Sequence, residues 1–251
     1  MGTSTFAYPR FFAHRGGGAL APENTLAGIA LAARLGFAAV EFDVMLCADG
    51  VPVLIHDETL ERTTDAHGAV ARTSLARLQA VDAGGHCHPA YAGERLPTLA
   101  QAWALCQSLG LSANVEIKPA TGHDEATGAA VGRLLCGADP RRILLSSFAP
   151  AALAAARLAA PALPRALLLA APAADWAAQL QALGGVGLHC AAAHFSAALA
   201  AALQAAAVPC ACYTVNCPEQ AARLFAAGAS ALFTDRLDLF APQPRAYATQ
   251  L

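Results

Sequence analysis

Short apolar runs, each closed by a polar cluster, recur along this chain, with longer amphipathic or alanine-rich stretches between them. FFA leads into His14-Arg15-Gly16, AAV into Glu41-Phe42-Asp43, VPVLI into His56-Asp57 and ANV into Glu116-Ile117-Lys118. Short runs bounded by breakers predict strands, and apolar positions at helical spacing between them predict helices. Strands are expected at Phe11–His14, Ala39–Val44, Ala113–Ile117, Ile143–Ser146, Ala166–Leu169, Val186–His189, Cys210–Val215 and Ala231–Thr234. Helices are expected near Thr25–Leu35, Leu99–Leu109, Glu125–Cys136, Pro150–Ala159, Ala173–Leu183, Ser196–Ala206 and Pro218–Ala227, with a short one near Leu237. Asn24 is the expected N-cap of the first helix and Gly36 its stop.

One further run, Val51–His56, follows the second strand too closely for a parallel crossover, which needs about a dozen residues. Asp49-Gly50 signals a hairpin instead, so this run is predicted to return above the sheet and deliver His56 to its upper rim. Eight strand–helix units then remain, the pattern of a (β/α)₈ barrel in one domain spanning residues 1–251. Residues 57–97 break the rhythm and read as a small insertion over the C-terminal mouth, with no convincing core helix. The tail after Pro242 reads as loose.

Composition narrows the class. The chain has 251 residues, 56% of them apolar and 14% charged, with a formal net charge of −2. A large core is therefore available, and the absence of a basic run argues against a nucleic-acid partner. No Asp, Glu, Lys or Arg occurs from Trp176 to Pro218, but Gly184-Gly185, Pro209 and several Gln and His residues interrupt that stretch, so no membrane insertion is expected. The eight cysteines include no C-x-x-C pair and read as scattered buried thiols. His86-Cys87-His88 is a poor metal nest, because adjacent residues on an extended backbone alternate sides. With no leader-like run ahead of His14, the expected location is cytoplasmic. Oligomeric state is left open, and the alanine-rich outer helices would suit either a homo-oligomer or a plain surface.

In a parallel barrel every strand C-terminus meets at one mouth, so the polar clusters converge there. Glu41 and Asp43 lie two apart on one strand and share a face, and Glu116 on the neighbouring strand can add a third carboxylate. Such a set needs a proton, a cation or the nearby Arg15 and Lys118 to offset its repulsion. Its oxygen ligands suit one divalent cation, Mg²⁺ first and Ca²⁺ second. His14 and His56 are the candidate catalytic acid and base, while Arg15 and Lys118 are candidate phosphate contacts. The mixture points to metal-assisted phosphodiester chemistry. Ser146-Ser147 lacks a nucleophile elbow, which removes a serine-hydrolase reading.

The segments HRGGGALAPENT, EFDVMLCADGVPVLIHD, LERTT and EIKP, with YTVN and LFTD later on, resemble the glycerophosphodiester phosphodiesterases across nearly the whole chain. The similarity is greatest to the short cytosolic bacterial members. It implies hydrolysis of small glycerophosphodiesters such as glycerophosphocholine to sn-glycerol 3-phosphate and an alcohol, by attack of the glycerol 2-hydroxyl through a cyclic phosphate. It also implies Glu41, Asp43 and Glu116 as metal ligands, His14 and His56 as the acid–base pair, and Arg15 and Lys118 on the phosphate. Tyr213 departs from the tryptophan the family often carries there and is a candidate substrate contact, as is Asn216 in the turn that follows. His189 closes its strand within reach of the pocket and reads first as a satisfied barrel histidine, and Glu23 reads equally as a brace for the first loop or as a contact to a reactive group. A lysophospholipase D or another phospholipase-like lyase would need an apolar groove or membrane-facing loop over the mouth, against which the polar, glycine-rich 57–97 segment argues. A catalytically silent sensor would have lost a histidine or carboxylate, and none is missing.

Overall fold

The computed structural model describes residues 6–242, so the tail from residue 243 onward lies outside it. Strands and helices alternate in the order β1 (Phe11–Ala13), α1 (Leu26–Arg34), β2 (Ala39–Leu46), β3 (Pro52–Leu54), α2 (Leu75–Leu78), α3 (Leu99–Ser108), β4 (Ser112–Ile117), α4 (Asp124–Leu135), β5 (Ile143–Ser147), α5 (Pro150–Ala159), β6 (Arg165–Leu169), α6 (Trp176–Ala182), β7 (Gly187–Ala191), α7 (Ala197–Ala205), β8 (Cys210–Tyr213), α8 (Pro218–Ala226), β9 (Ala231–Thr234) and α9 (Leu237–Phe240). Parallel pairings run β1-β9-β8-β7-β6-β5-β4-β2, and the β1–β2 pair closes the ring. The fold is the expected (β/α)₈ barrel. β3 stands outside the ring as an antiparallel arm on the upper end of β2, pairing Val44 with Leu54 and Leu46 with Pro52.

Inward and outward residues alternate along each strand. Phe42, Val44, Val115 and Ile117 face outward into a layer shared with Ile29, Leu99, Trp103 and Val131 of the helices. Phe12, Leu144, Ala166, Ala211 and Phe233 fill the barrel itself. Glu41 and Asp43 therefore point inward among these small and aromatic side chains, and repulsion between them must be met by a group in the barrel.

Among the boundaries that differ from the sequence reading, two bear on the site. Thr25, not Asn24, caps α1, its hydroxyl accepting from the Gly28 amide. Asn24 instead sits at φ 57°, a left-handed conformation that asparagine tolerates, and turns inward. β2 also runs to Leu46, because its upper end pairs with β3, so Glu41 and Asp43 lie within the strand rather than at its end.

Residues 57–97 contain the four-residue α2, two short 3₁₀ turns and an apolar cluster of Leu60, Val70, Leu78, Val81 and Leu96 packed on Met45, Val53 and Ile55. Asp82 ties this segment together, its carboxylate accepting from the amides of Gly84, Gly85 and Gly93. No helix among the described residues is long and apolar enough to cross a membrane.

Candidate active site

The β2–β4 register sets Asp43 opposite Glu116 and Glu41 opposite Asn114, so two adjacent strands present four polar side chains to one side of the barrel. One oxygen from each of Glu41, Asp43 and Glu116 lies within 4.8 Å of the others. Glu41 and Asp43 are each only 2% exposed. Burial, then the charges of Asp43 and Glu116, push the Glu41 carboxyl well above its usual range. Burial and Asp43 also push Glu116 up to about 7, against the pull of Lys118. Among the described residues, Glu41 Oε1 and Glu116 Oε1 are buried without a hydrogen-bond partner. Three crowded carboxylates, two of them with an unpartnered oxygen, fit a hard divalent cation, whose charge would offset their repulsion and whose coordination would use those oxygens.

Asp43 is held from outside the cluster. The Asn24 amide donates to its Oδ2 at 2.9 Å, and Asn24 Oδ1 accepts from the Asp43 backbone at 3.0 Å. The first loop brings further groups in. Arg15 lies at φ 50°, and its amide donates to Glu41 Oε2 at 2.9 Å. Its guanidinium donates to Glu23 Oε1 at 2.9 Å and stands 3.6 Å from Asp43 Oδ2. The same loop needs glycine at position 18, where φ is +55° and a Cβ would run into the Asp235 carbonyl.

Both histidines reach the pocket with their Nδ1 atoms already committed. His14 Nδ1 donates to Asp235 Oδ1 at 2.6 Å, which leaves Nε2 facing Glu41 at 3.9 Å. His56 Nδ1 donates to Asp57 Oδ1 at 2.6 Å, and its Nε2 accepts from Lys118 Nζ at 2.9 Å. Burial lowers the His56 pKa, Arg15 and Lys118 reinforce this, and Asp43 and Asp57 only partly oppose it. Lys118 Nζ also lies 3.5 Å from Glu116 and 3.8 Å from Asp43. The hairpin arm thus brings His56 to the rim beside the fourth strand.

Arg62, from the 57–97 segment, joins the two sides of the mouth. Its Nη1 and Nη2 donate to the two Glu23 oxygens at 2.8 and 2.7 Å, while its Nε donates to Asp57 Oδ2 at 2.5 Å. Hydrogen bonds from Arg62 and His56 hold the Asp57 carboxyl down at about 2 despite some burial. One guanidinium therefore fixes both the carboxylate that orients His56 and the carboxylate that orients Arg15.

Together these groups line a cavity of about 230 Å³ with Asn114, Phe148, Leu168, His189, Tyr213 and Phe233. Tyr213 stands in the wall of this cavity. Its hydroxyl, His189 Nδ1 and Asn114 Oδ1 are buried with no partner among the described residues. His189 is thus only half satisfied, through Nε2 and the Tyr8 hydroxyl at 3.2 Å. Complete burial lowers its pKa to about 3, so its ring is neutral. Asn216 stands apart from this cavity, in an adjoining depression with Glu23 and Asp235. Its amide donates to Asp235 Oδ2 and its Oδ1 accepts from the Asp235 backbone and the Thr234 hydroxyl. Both ends of the carboxamide are engaged in holding Asp235, and through it His14.

Comparison with known proteins places this geometry in context. Residues 14–239 match the model of the glycerophosphoryl diester phosphodiesterase family. A curated glycerophosphodiester phosphodiesterase from Caldanaerobacter subterraneus is 42% identical over 106 residues, covering 42% of this chain and 44% of that protein. The bovine glycerophosphodiester phosphodiesterase 1 is 41% identical over 42% of this chain and 33% of its own length. The matches therefore span less than half of these curated relatives. Among solved structures, an Oleispira antarctica phosphodiesterase in complex with the product sn-glycerol-3-phosphate is 36% identical, with a TM-score of 0.88 over 91% of this chain and 93% of that one. A glycerophosphodiester phosphodiesterase from Agrobacterium tumefaciens is 26% identical, with a TM-score of 0.76 over 92% of this chain and 98% of that one.

Proposed function

The chain belongs to the glycerophosphoryl diester phosphodiesterase family, and we propose from this that it hydrolyses small glycerophosphodiesters, glycerophosphocholine and glycerophosphoethanolamine among them, to sn-glycerol 3-phosphate and the free alcohol. The observation that carries the reading is the meeting of Glu41, Asp43, Glu116, His14, His56, Arg15 and Lys118 around one cavity. Glu41, Asp43 and Glu116 would hold the divalent cation, Mg²⁺ by preference and Ca²⁺ as the alternative. When bound, that ion supplies positive charge at the phosphoryl oxygens and acidifies the attacking hydroxyl. Arg15 and Lys118 bind the non-bridging phosphate oxygens, and the Asn24 carboxamide keeps Asp43 aimed into the site.

His56 is the base of the first step. Its neutral ring presents the Nε2 lone pair, and once Lys118 turns to the phosphate that nitrogen accepts the proton of the glycerol 2-hydroxyl as the oxygen attacks phosphorus. His14 Nε2 protonates the departing alcohol. The resulting cyclic phosphate is opened by water with the two roles reversed. Asp57 and Asp235 fix the ring orientations, and Asn216 contributes by holding Asp235. The eight free thiols suit a reducing compartment, consistent with a cytoplasmic location.

Release of sn-glycerol 3-phosphate from both substrates tests the reading, measured with Mg²⁺, with Ca²⁺, with chelator and beside a His14→Ala control. Metal-dependent release that vanishes in the control is expected. No release under any metal, from folded protein, would refute it.

Two subsidiary predictions follow from the geometry. Arg62→Ala frees both Glu23 and Asp57 and should lower kcat/KM roughly ten- to a hundredfold, about 1.4–2.8 kcal/mol of transition-state stabilisation. Its melting temperature should barely move, since exposed ion pairs add little stability; an unchanged kcat/KM would show that the clamp does not matter. Tyr213→Phe removes only the unpartnered hydroxyl. If that hydroxyl meets a glycerol oxygen, KM and the inhibition constant for sn-glycerol 3-phosphate should rise about five- to tenfold, the range of one net hydrogen bond. Inhibition by inorganic phosphate should stay as in wild type, and equal shifts for both inhibitors would contradict the contact.

A further inference from the structure

On the opposite face of β7 and β8 the barrel wall carries a second cluster with different chemistry. His189 and Tyr213 point into the cavity, and strand alternation turns Cys190, Cys210 and Cys212 outward. The register pairs Cys190 with Cys212, while Cys210 lies two residues back on the same face of β8. All three are free, with exposures of 0, 1 and 0%. They lie in an apolar layer formed with Leu203, Val208 and Leu224. Their three sulfur atoms all lie within 4.8 Å of one another, with Cys190 and Cys210 at 3.8 Å.

Spacing in the sequence hides this group, because the members come from two strands separated by a helix. Its geometry is that of a ligand triangle. The centre of an equilateral triangle of side 3.8 Å is about 2.2 Å from each corner, and for 4.8 Å about 2.8 Å, a range that brackets ordinary metal–thiolate bonds. An ion could sit among the sulfurs without spreading the strands. The donor set selects the class of ion: three soft sulfurs with no carboxylate exclude Mg²⁺ and Ca²⁺ and favour d¹⁰ thiophilic cations.

We propose that Cys190, Cys210 and Cys212 form a buried three-sulfur site for a monovalent soft cation of the copper(I) and silver(I) class, separate from the carboxylate centre inside the barrel. Charge is what selects the monovalent ion. Binding displaces one thiol proton to solvent and leaves one thiolate, two thiols and one positive charge, a neutral group suited to an apolar layer. No oxidant or reductant is needed, and the site does not depend on the activity proposed above.

Silver(I) serves as an air-stable probe. The exposed Cys87, Cys136 and Cys217 are first replaced together by serine, leaving the cluster plus the isolated buried Cys47 and Cys106 as internal controls. This protein should take up one equivalent of silver, release one proton and gain a sulfur-to-metal charge-transfer absorption in the ultraviolet. Adding Cys212→Ala, or in a separate protein Cys190→Ala, should weaken binding at least a hundredfold in chains that melt near the parent temperature. Two variants keep the test available if one fails to fold. Absence of uptake by the parent, or undiminished uptake by either folded variant, would overturn the proposal.

Discussion

Glu41→Gln should lower turnover by about three orders of magnitude or more and, with divalent ions chelated, raise the melting temperature. The two effects share one cause. Glu41 is buried with Asp43 and Glu116, and its ionised form is disfavoured by burial and by both neighbours. Glutamine keeps the volume and an oxygen for the Arg15 amide but removes one of the three like charges. The metal-free protein should gain on the order of 1 kcal/mol, about 2–4 °C for a chain of this size. Loss of a first ligand meanwhile costs the metal centre its charge balance.

The pH dependence has a definite sign. Glu116 is raised from 4.5 to about 7 in the fold. Below 4.5 it is protonated in both folded and unfolded chains and contributes nothing. As pH climbs from 4.5 to about 7, only the unfolded chain gives up the proton, so stability of the chelated protein falls, by a few kcal/mol at most. Above that window the contribution is flat. Thermal melts from pH 4.5 to 7.5 should show this decline in wild type and a shallower one in Glu41→Gln, where the raised carboxyl of residue 41 no longer titrates. A variant restored to wild-type rate by excess Mg²⁺ would refute the ligand assignment. A lower melting temperature in chelator would show that the carboxylate is already satisfied by protein.

Much of this was legible in the chain. The strand ladder could be read because a parallel barrel buries both faces of its strands, so each strand is a short apolar run. The hairpin was legible because six residues cannot make a parallel crossover and Asp49-Gly50 can make a turn. Glu41, Asp43 and Glu116 stood out because charge inside an apolar strand needs a reason, and the structure places all three together.

What was hidden depends on contacts between distant segments. Asn24 has the chemistry of an N-cap, and only the left-handed turn that follows the first loop reveals it as the support of Asp43. Asp235 directly follows the last strand, which lies next to the first, and is 221 residues from His14, so only ring closure makes them neighbours. Arg62 lies in a segment with no periodicity, and its role appears once Glu23 and Asp57 are seen on either side of it. The three sulfurs behind the pocket likewise needed the β7–β8 register. A polar side chain in a strand is informative by itself, whereas the partner that orients it is defined only by the closed fold.

The distinct roles of the two histidines predict a crossed result with two leaving groups. His56→Ala should fold, since the ring is partly exposed at the rim, and should lower kcat roughly 10²–10⁴-fold, the usual range for loss of a general base. His14→Ala should be equally slow on glycerophosphocholine, where choline oxygen leaves only if protonated. A glycerophosphodiester of p-nitrophenol separates them, because that phenolate departs without a proton. On it, single-turnover release by His14→Ala should recover to within about tenfold of wild type, while His56→Ala stays slow because the attacking hydroxyl still needs a base. The cyclic phosphate should then accumulate on His14→Ala, which lacks the base for ring opening, and phosphorus NMR would detect it. The opposite pattern would exchange the roles of His14 and His56. Near-normal turnover by His56→Ala on both substrates would mean that the β2–β3 hairpin does not bring a catalytic residue to the mouth.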